Sequence, residues 1–231
     1  MRYDKLNWFD VQSYLEEDDR LMLVIGACEQ HGYLSLLTDV KIPLALADAA
    51  SKQTGVLVAP PLNFGPSPYF KAYPGTLSLK VKTFLNVIAD LIRSVHKQGF
   101  RRLLFLNGHG GNDPAQVRIH ELANKLDSLQ VSWYSWWKSH SVEAVAKKHD
   151  LKPAHGNWLE AFPFTRVSQL PEEKKRPPHV PGIVSADRLK DIYGDGSFGG
   201  EYAVDDAIMD EIFQAALEDV LVKLRFLQQE T

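Results

Sequence analysis

Short apolar runs alternate along the chain with longer segments in which apolar residues recur every three or four positions. Four runs are typical of buried strands, namely residues 21–25 (LMLVI), 56–59 (VLVA), 101–107 (RRLLFLN) and 131–137 (VSWYSWW). Helical spacing is found at residues 43–54, 81–98 and 114–129, around 141–149, and over about the last 28 residues. Gly55 and Gly99 follow the first two helical segments, as C-terminal caps often do.

This β-α-β-α alternation predicts an α/β fold. We expect a three-layer sandwich in which a mainly parallel central sheet is flanked by helices on both faces. No composition shift marks a second domain, so residues 1–231 are predicted to form a single one. Residues 171–200 are rich in Pro and Gly and are predicted to cross the surface as a lid or a subunit contact.

Composition narrows the range of partners. The net charge is −3 and the chain has no basic block, which argues against nucleic acid as a partner. No apolar stretch reaches the roughly 18 residues that a membrane span needs. Cys28 is the only cysteine, so an internal disulfide is impossible. A reducing, cytoplasmic location is therefore expected.

Polar side chains follow two of the predicted strands directly. Glu29 and His31 come after the first run, and His109 comes after the third. Ligands bind at the carboxyl ends of strands in open α/β sheets, so these groups are expected to converge. Asp39 precedes the next predicted helix and can either cap it or reach the same crevice.

Imidazole and carboxylate groups together suit zinc, manganese or iron. Asp39 has two oxygens and can bridge two ions, and an ion pair of this kind favours hydrolysis of an amide. Each residue also has a simpler interpretation. Glu29 and Asp39 can serve as helix caps, His31 can be an ordinary loop histidine, and His109 can mark a glycine-rich turn.

Two further sequence patterns, one of glycines and one of aromatic residues, each allow more than one interpretation. Gly194, Gly196 and Gly199 spell G-x-G-x-x-G, but they lie late in the chain after a helical segment. A tight loop near the pocket or a subunit interface is expected there, rather than a nicotinamide site. In the aromatic run of the fourth strand, Trp136 or Trp137 is expected to reach the strand end, and Trp136 is predicted to bind substrate.

Four motifs resemble those of the creatininase (creatinine amidohydrolase) family. They are GACEQHGYLSLLTD at residues 26–39, YPGT at 73–76, NGHGGN at 107–112 and HGNWLEA at 155–161. The family patterns are GSxEQHGPHLPLGTD, FPGT, NGHGGN and HAGxxET, in the same order. The later GDGSFGG segment is also similar to a glycine-containing segment of the family.

The resemblance implies a cytoplasmic, two-metal amidohydrolase with an α/β fold, assembled as a homo-oligomer, either a hexamer or a dimer. It implies the metal ligands Glu29, His31, Asp39, His109 and Glu160, with Asp39 bridging. It assigns proton transfer near the substrate to His155. The backbone N–H groups of Gly110 and Gly111 are expected to line the anion side of the pocket.

The sequence departs from the family pattern at several points. The loop between His31 and Asp39 is one residue shorter than the usual form and lacks its second histidine and its proline. Gly111 stands where creatinine-cleaving members carry a glutamate. HAG is replaced by HGN, and Ala161 stands in place of the threonine.

The predicted function is metal-dependent hydrolysis of a cyclic amide or formamide-type C–N bond in a small molecule, by a metal-activated water. One alternative is a degenerate member of the family that binds a small metabolite without catalysis. Another is a structural subunit that docks a partner through residues 171–200.

Overall fold

Four parallel strands form the central sheet of the computed structural model, which describes residues 1–228. The strands are β1 (Arg20–Ile25), β2 (Leu57–Val58), β3 (Arg102–Asn107) and β4 (Gln130–Ser135). Their order across the sheet is β2-β1-β3-β4. Ile25 pairs with Asn107 in the register between β1 and β3, so these two strands end side by side.

Seven α-helices accompany the sheet in the described part of the chain. They are α1 (Trp8–Leu15), α2 (Thr38–Thr54), α3 (Val81–Gln98), α4 (Ala115–Ala123), α5 (His140–Lys148), α6 (Ala186–Tyr193) and α7 (Asp206–Gln228).

The two faces of the sheet bury different residues of the same strand. In β1, Met22 and Val24 pack into a core shared with α2, α5 and α7. Leu21, Leu23 and Ile25 pack into a second core shared with α3 and α4. Successive side chains of a strand point to opposite faces, so a strand buried on both sides reads as a continuous apolar run. The predicted α/β fold with helices on both faces is confirmed.

Several element boundaries differ from the prediction. The second strand contains only Leu57 and Val58, the helix predicted over residues 114–129 ends at Ala123, and the fourth strand ends at Ser135. Helix α2 begins five residues earlier than the predicted start at Pro43. Proline has no backbone N–H, so Pro43 leaves the carbonyl of Asp39, four residues earlier, without its usual helical bond.

Helix α1 was not predicted from the sequence. Its signal is a capping box, in which the Asn7 side chain accepts from the N–H of Phe9 and the Asp10 carboxylate accepts from the N–H of Asn7. Among the described helices, none combines the length and the hydropathy that a bilayer span requires.

Candidate metal centre

The ends of β1 and β3 bring distant polar residues into one buried cluster. Glu29 and His31 lie in the loop after β1, and His109 lies in the loop after β3. All three are almost completely buried. The adjacency of the two strands accounts for this convergence, as the sequence predicted from the strand-end rule.

Asp39 joins the cluster from the first turn of α2. The backbone of this turn lies so close to the end of β3 that a β-carbon on Gly108 would lie 1.8 Å from the Asp39 carbonyl oxygen. Glycine at position 108 is therefore a requirement of packing, because any side chain there would push α2 and its carboxylate away from the strand ends.

The two oxygens of Asp39 face different histidines. Oδ1 lies 2.9 Å from Nε2 of His31, and Oδ2 lies 2.9 Å from Nδ1 of His109. A second carboxylate flanks each imidazole, since Glu29 Oε1 is 3.3 Å from His109 Nδ1 and Glu160 Oε1 is 3.8 Å from His31 Nε2. Asp39 is thus shared between two sets of ligand atoms.

Backbone carbonyls fix the orientation of both imidazoles. Nδ1 of His31 lies 3.1 Å from the carbonyl oxygen of Glu29, and Nε2 of His109 lies 2.8 Å from that of Pro66. A ring nitrogen that donates to a carbonyl leaves the opposite nitrogen directed at the carboxylates. This arrangement is usual for histidines that ligate metals.

The buried carboxylates create a strong negative potential. Burial alone would lower the pKa of His31, but attraction to Asp39 and Glu160 outweighs it and raises the pKa to about 10. Burial is likewise outweighed at His109, where the adjacent carboxylates of Asp39 and Glu29 raise the pKa well above its usual value. The same negative potential would attract a divalent cation, and binding of the cation would release the proton from each imidazole.

Three groups of residues have ligand atoms within 4.8 Å of one another. These groups are Glu29, Asp39 and His109; His31, Asp39 and Glu160; and Glu29, His31 and His155. Glu29 Oε2 is buried and accepts no hydrogen bond. A buried carboxylate oxygen without a donor is costly unless a cation neutralises it. The donor set of imidazole nitrogens and carboxylate oxygens suits zinc, manganese or iron.

His155 lies beside the cluster between two aromatic rings. It stacks on Phe70, with ring centroids 4.6 Å apart, and its ring lies 5.0 Å from that of Phe198. Its Nδ1 is 4.0 Å from Glu29 Oε1, and its Nε2 is 3.1 Å from the carbonyl oxygen of Gln30. Burial, followed by the neighbouring positive charge of His31, lowers the pKa of His155.

Glu160 and Gln30 complete the surroundings of His155. Glu160 ends a short 3-10 helix (Trp158–Glu160), and its Oε2 accepts from the backbone N–H of Gly156 at 2.6 Å. The Gln30 amide nitrogen lies 3.0 Å from Nε2 of His155 and donates to the carbonyl of Gly196. Sequence reasoning did not single out Gln30, although its place between Glu29 and His31 was a signal.

A family model for creatininase, described as creatinine amidohydrolase, matches residues 4–224. The chain belongs to the creatininase family. This confirms the resemblance that the four motifs indicated.

Several curated proteins match parts of the chain. A creatinine amidohydrolase from Pseudomonas putida is 35% identical over 146 residues, which are 58% of this chain and 56% of that protein. A 3-dehydro-scyllo-inosose hydrolase from Thermotoga maritima is 27% identical over 158 residues, 66% of this chain and 48% of the relative. A mycofactocin precursor peptide peptidase from Mycolicibacterium smegmatis is 35% identical over 99 residues, 40% of each chain. The matched stretches span about half or less of these relatives.

Solved creatininase structures share the fold over nearly the whole chain. A mutant creatininase of the zinc–zinc type has a TM-score of 0.78 at 22% identity, covering 97% of both chains. A manganese creatininase has a TM-score of 0.74 at 23% identity, again covering 97% of both.

Of the residues predicted to bind substrate in this creatininase-family chain, Gly110 and Gly111 line the cavity and Trp136 does not. A cavity of about 750 Å³ opens above the cluster, and Gly110 and Gly111 line it. Trp136 does not, because the chain turns into a 3-10 helix (Trp136–Lys138) after β4 and carries this side chain into the core, where it is 2% exposed. Its neighbour Trp137 lines the cavity instead.

Gly111 has no room for a side chain. A β-carbon there would lie 2.0 Å from the carbonyl oxygen of Pro66 and 2.4 Å from Nε2 of His109. The glutamate that creatinine-cleaving members carry at this position therefore does not fit the loop as it is folded here.

Gly111→Ala is expected to displace the Pro66 carbonyl from His109. The crowding should lower the free energy of unfolding by about 1–3 kcal/mol. Loss of the orienting hydrogen bond should weaken metal binding by about 10- to 100-fold. Urea denaturation and calorimetric metal titration measure the two effects. The matched control is Gly110→Ala, because a β-carbon on Gly110 would meet no atom within 4 Å. Equal behaviour of the two variants would contradict the steric argument.

Proposed function

We propose that this chain is a metal-dependent amidohydrolase that cleaves a cyclic amide or formamide-type C–N bond in a small molecule. The observation that carries the proposal is the shared position of Asp39, whose two oxygens face two different imidazoles, each flanked by another carboxylate. Membership of a family whose named relatives are hydrolases supports it.

Two divalent ions, zinc, manganese or iron, are the proposed cofactors. Glu29, Asp39 and His109 would hold one, and His31, Asp39 and Glu160 the other. Zinc and manganese forms of creatininases with the same fold support this choice. When bound, a pair of such ions lowers the pKa of a water towards neutrality and polarises a substrate carbonyl.

His155 is the proposed proton carrier. Burial between aromatic rings favours the neutral imidazole, which can accept a proton from the attacking water and pass it to the leaving nitrogen. The flanking rings of Phe70 and Phe198 limit rotation of the imidazole and keep its Nδ1 edge towards the cluster. The backbone N–H groups of Gly110 and Gly111 are proposed to stabilise negative charge on the substrate oxygen.

Metal reconstitution tests the proposal. Protein stripped with a chelator is expected to bind two equivalents of zinc, manganese or iron per chain, measured by elemental analysis after desalting. Hydrolysis of a panel of formamides and cyclic amides is expected only after metal is restored. A folded protein that retains no stoichiometric ion would contradict the proposal. Two bound ions without turnover of any amide would favour the alternative of a degenerate family member that binds a metabolite. The glycine at position 111 is the sequence feature that motivates this alternative.

Assembly as a homo-oligomer, a hexamer or a dimer, is proposed from the family resemblance alone, and so is a cytoplasmic location. Light scattering coupled to size exclusion measures the mass of the assembly directly. A monomeric mass at micromolar concentration would contradict this part of the proposal.

A further inference from the structure

The cavity above the metal centre is much larger than a formamide group or a small cyclic amide. Its volume of about 750 Å³ falls in the range of pockets that enclose drug-sized ligands. The ionisable groups of the candidate centre lie at its floor, among them Glu29, Asp39 and His155. A small amide held at this floor would leave most of the space above it unfilled.

Apolar and aromatic side chains form the wall of this cavity. Val180, Ile183, Val184 and Leu189 contribute aliphatic surface from the segment 171–200. The described residues that line the cavity include no lysine or arginine, and every carboxylate among them belongs to the floor. A charged group held against this wall, away from the scissile bond, would lose part of its hydration and gain no counter-charge.

The aromatic part of the wall is continuous with the floor. The ring of Tyr193 stacks on that of Phe198, with centroids 4.2 Å apart, and Phe198 lies 5.9 Å from Phe70. Phe70 in turn stacks on His155. A planar or aliphatic body that extends from a scissile bond near His155 would therefore meet apolar surface from its first atoms onward.

Polar contacts outside the cavity hold the aromatic end of this wall, around Tyr193 and Phe198, in place. The Lys175 ammonium group donates to the carbonyls of Tyr193 and Ser197 and pairs with the Asp195 carboxylate. The Tyr202 hydroxyl donates to the other oxygen of Asp195. The charge of Lys175 is thus neutralised behind the wall, and the aromatic part of the surface is formed before any ligand arrives, which lowers the cost of binding.

We propose that the substrate is an amide attached to a large, uncharged, predominantly apolar body that fills this cavity. The proposal rests on the proposed metal-dependent function, since the metal centre positions the amide at the floor. It adds a requirement for an apolar remainder and predicts that carboxylated or phosphorylated amides are poor substrates.

A series of hydroxamic acids tests the proposal by binding. Hydroxamates chelate divalent ions. Isothermal titration of the manganese-loaded protein therefore measures the dissociation constants of three of them. They are acetohydroxamate, octanohydroxamate and octanedioic acid monohydroxamate, the last of which ends in a carboxylate. Each buried methylene should tighten binding about threefold to fourfold. Octanohydroxamate is therefore expected to bind at least about 100-fold more tightly than acetohydroxamate, and the carboxylate-ended analogue at least about tenfold more weakly than octanohydroxamate.

The outcomes separate this proposal from the proposed function. If acetohydroxamate binds but lengthening the chain has no effect, or if the carboxylate-ended analogue binds as well as octanohydroxamate, the apolar-body proposal is wrong and the metal-dependent function stands. If none of the three binds to protein that carries its ions, the proposed function fails and this proposal falls with it.

A pair of surface variants locates the effect. Ile183 lines the cavity although its side chain is fully exposed, so Ile183→Asp places a charge at the wall with little risk to folding. It is expected to weaken octanohydroxamate at least about fivefold and to leave acetohydroxamate unchanged. The matched control is Val117→Asp, an exposed position on α4 outside the cavity lining. Equal losses in both variants would overturn the assignment of the wall.

Discussion

Asp39→Asn is expected to abolish binding of both metal ions and to lower kcat on the order of 10⁴-fold or more. The reason is the shared position of this carboxylate, whose Oδ1 faces His31 and whose Oδ2 faces His109. An amide has one acceptor oxygen and no negative charge, so it cannot replace the carboxylate on both sides. Elemental analysis and amide hydrolysis, measured on the same preparation, report the two losses.

Loss of the ions must be distinguished from loss of the fold. Asp48→Asn is the matched control, because Asp48 is the other aspartate of α2 and lies outside the cluster. The control is expected to keep two ions and full activity, and circular dichroism of both variants should match the wild-type protein. A folded Asp39→Asn variant that still binds two ions would refute the bridging role.

His155→Gln is expected to lower kcat by about 10²- to 10⁴-fold while both ions remain bound. Glutamine retains hydrogen-bonding groups but cannot carry a proton between the water and the leaving nitrogen. Substrates whose leaving amine has a low pKa need less protonation, so the defect should shrink for them. Comparing kcat for an anilide and for the matching nitroanilide measures this dependence.

The same variant tests a second role for His155. Its ring nitrogen lies within 4.8 Å of ligand atoms of Glu29 and His31, so His155 can also be considered a ligand. Loss of one equivalent of metal from His155→Gln would assign it to the metal and remove it from proton transfer. The control is His140→Gln, since His140 is fully exposed at the start of α5.

The parts of the site that follow from local pattern were predictable from the sequence. Continuous apolar runs identified β1 and β3, and the strand-end rule placed Glu29, His31 and His109 in one crevice. The local pattern left Asp39 as either a helix cap or a member of the same crevice, and the motif resemblance favoured the metal role. The position of Asp39 inside the first turn of α2, with Pro43 four residues later, was not predicted because proline there reads as a helix start.

Other features depend on tertiary packing that leaves little trace in a single sequence. Trp136 lies in the core and Trp137 at the cavity. The cause is one short 3-10 helix after β4, which turns these neighbouring side chains in different directions. Residues 171–200 were recognised as an excursion over the surface. The apolar surface that they give to the cavity was not predicted, because Val180 and Ile183 lie in an irregular stretch without a regular apolar period.

The proposed metal ligands and much of the apolar cavity wall come from different stretches of this chain. The ionisable groups at the cavity floor all precede residue 161, whereas much of the wall comes from residues 180–198. Exchanging residues 180–192 with those of another family member would therefore be expected to alter which molecules are accepted, while Phe198, which flanks the His155 ring, stays in place. Such a separation gives one scaffold a simple evolutionary route to new substrates.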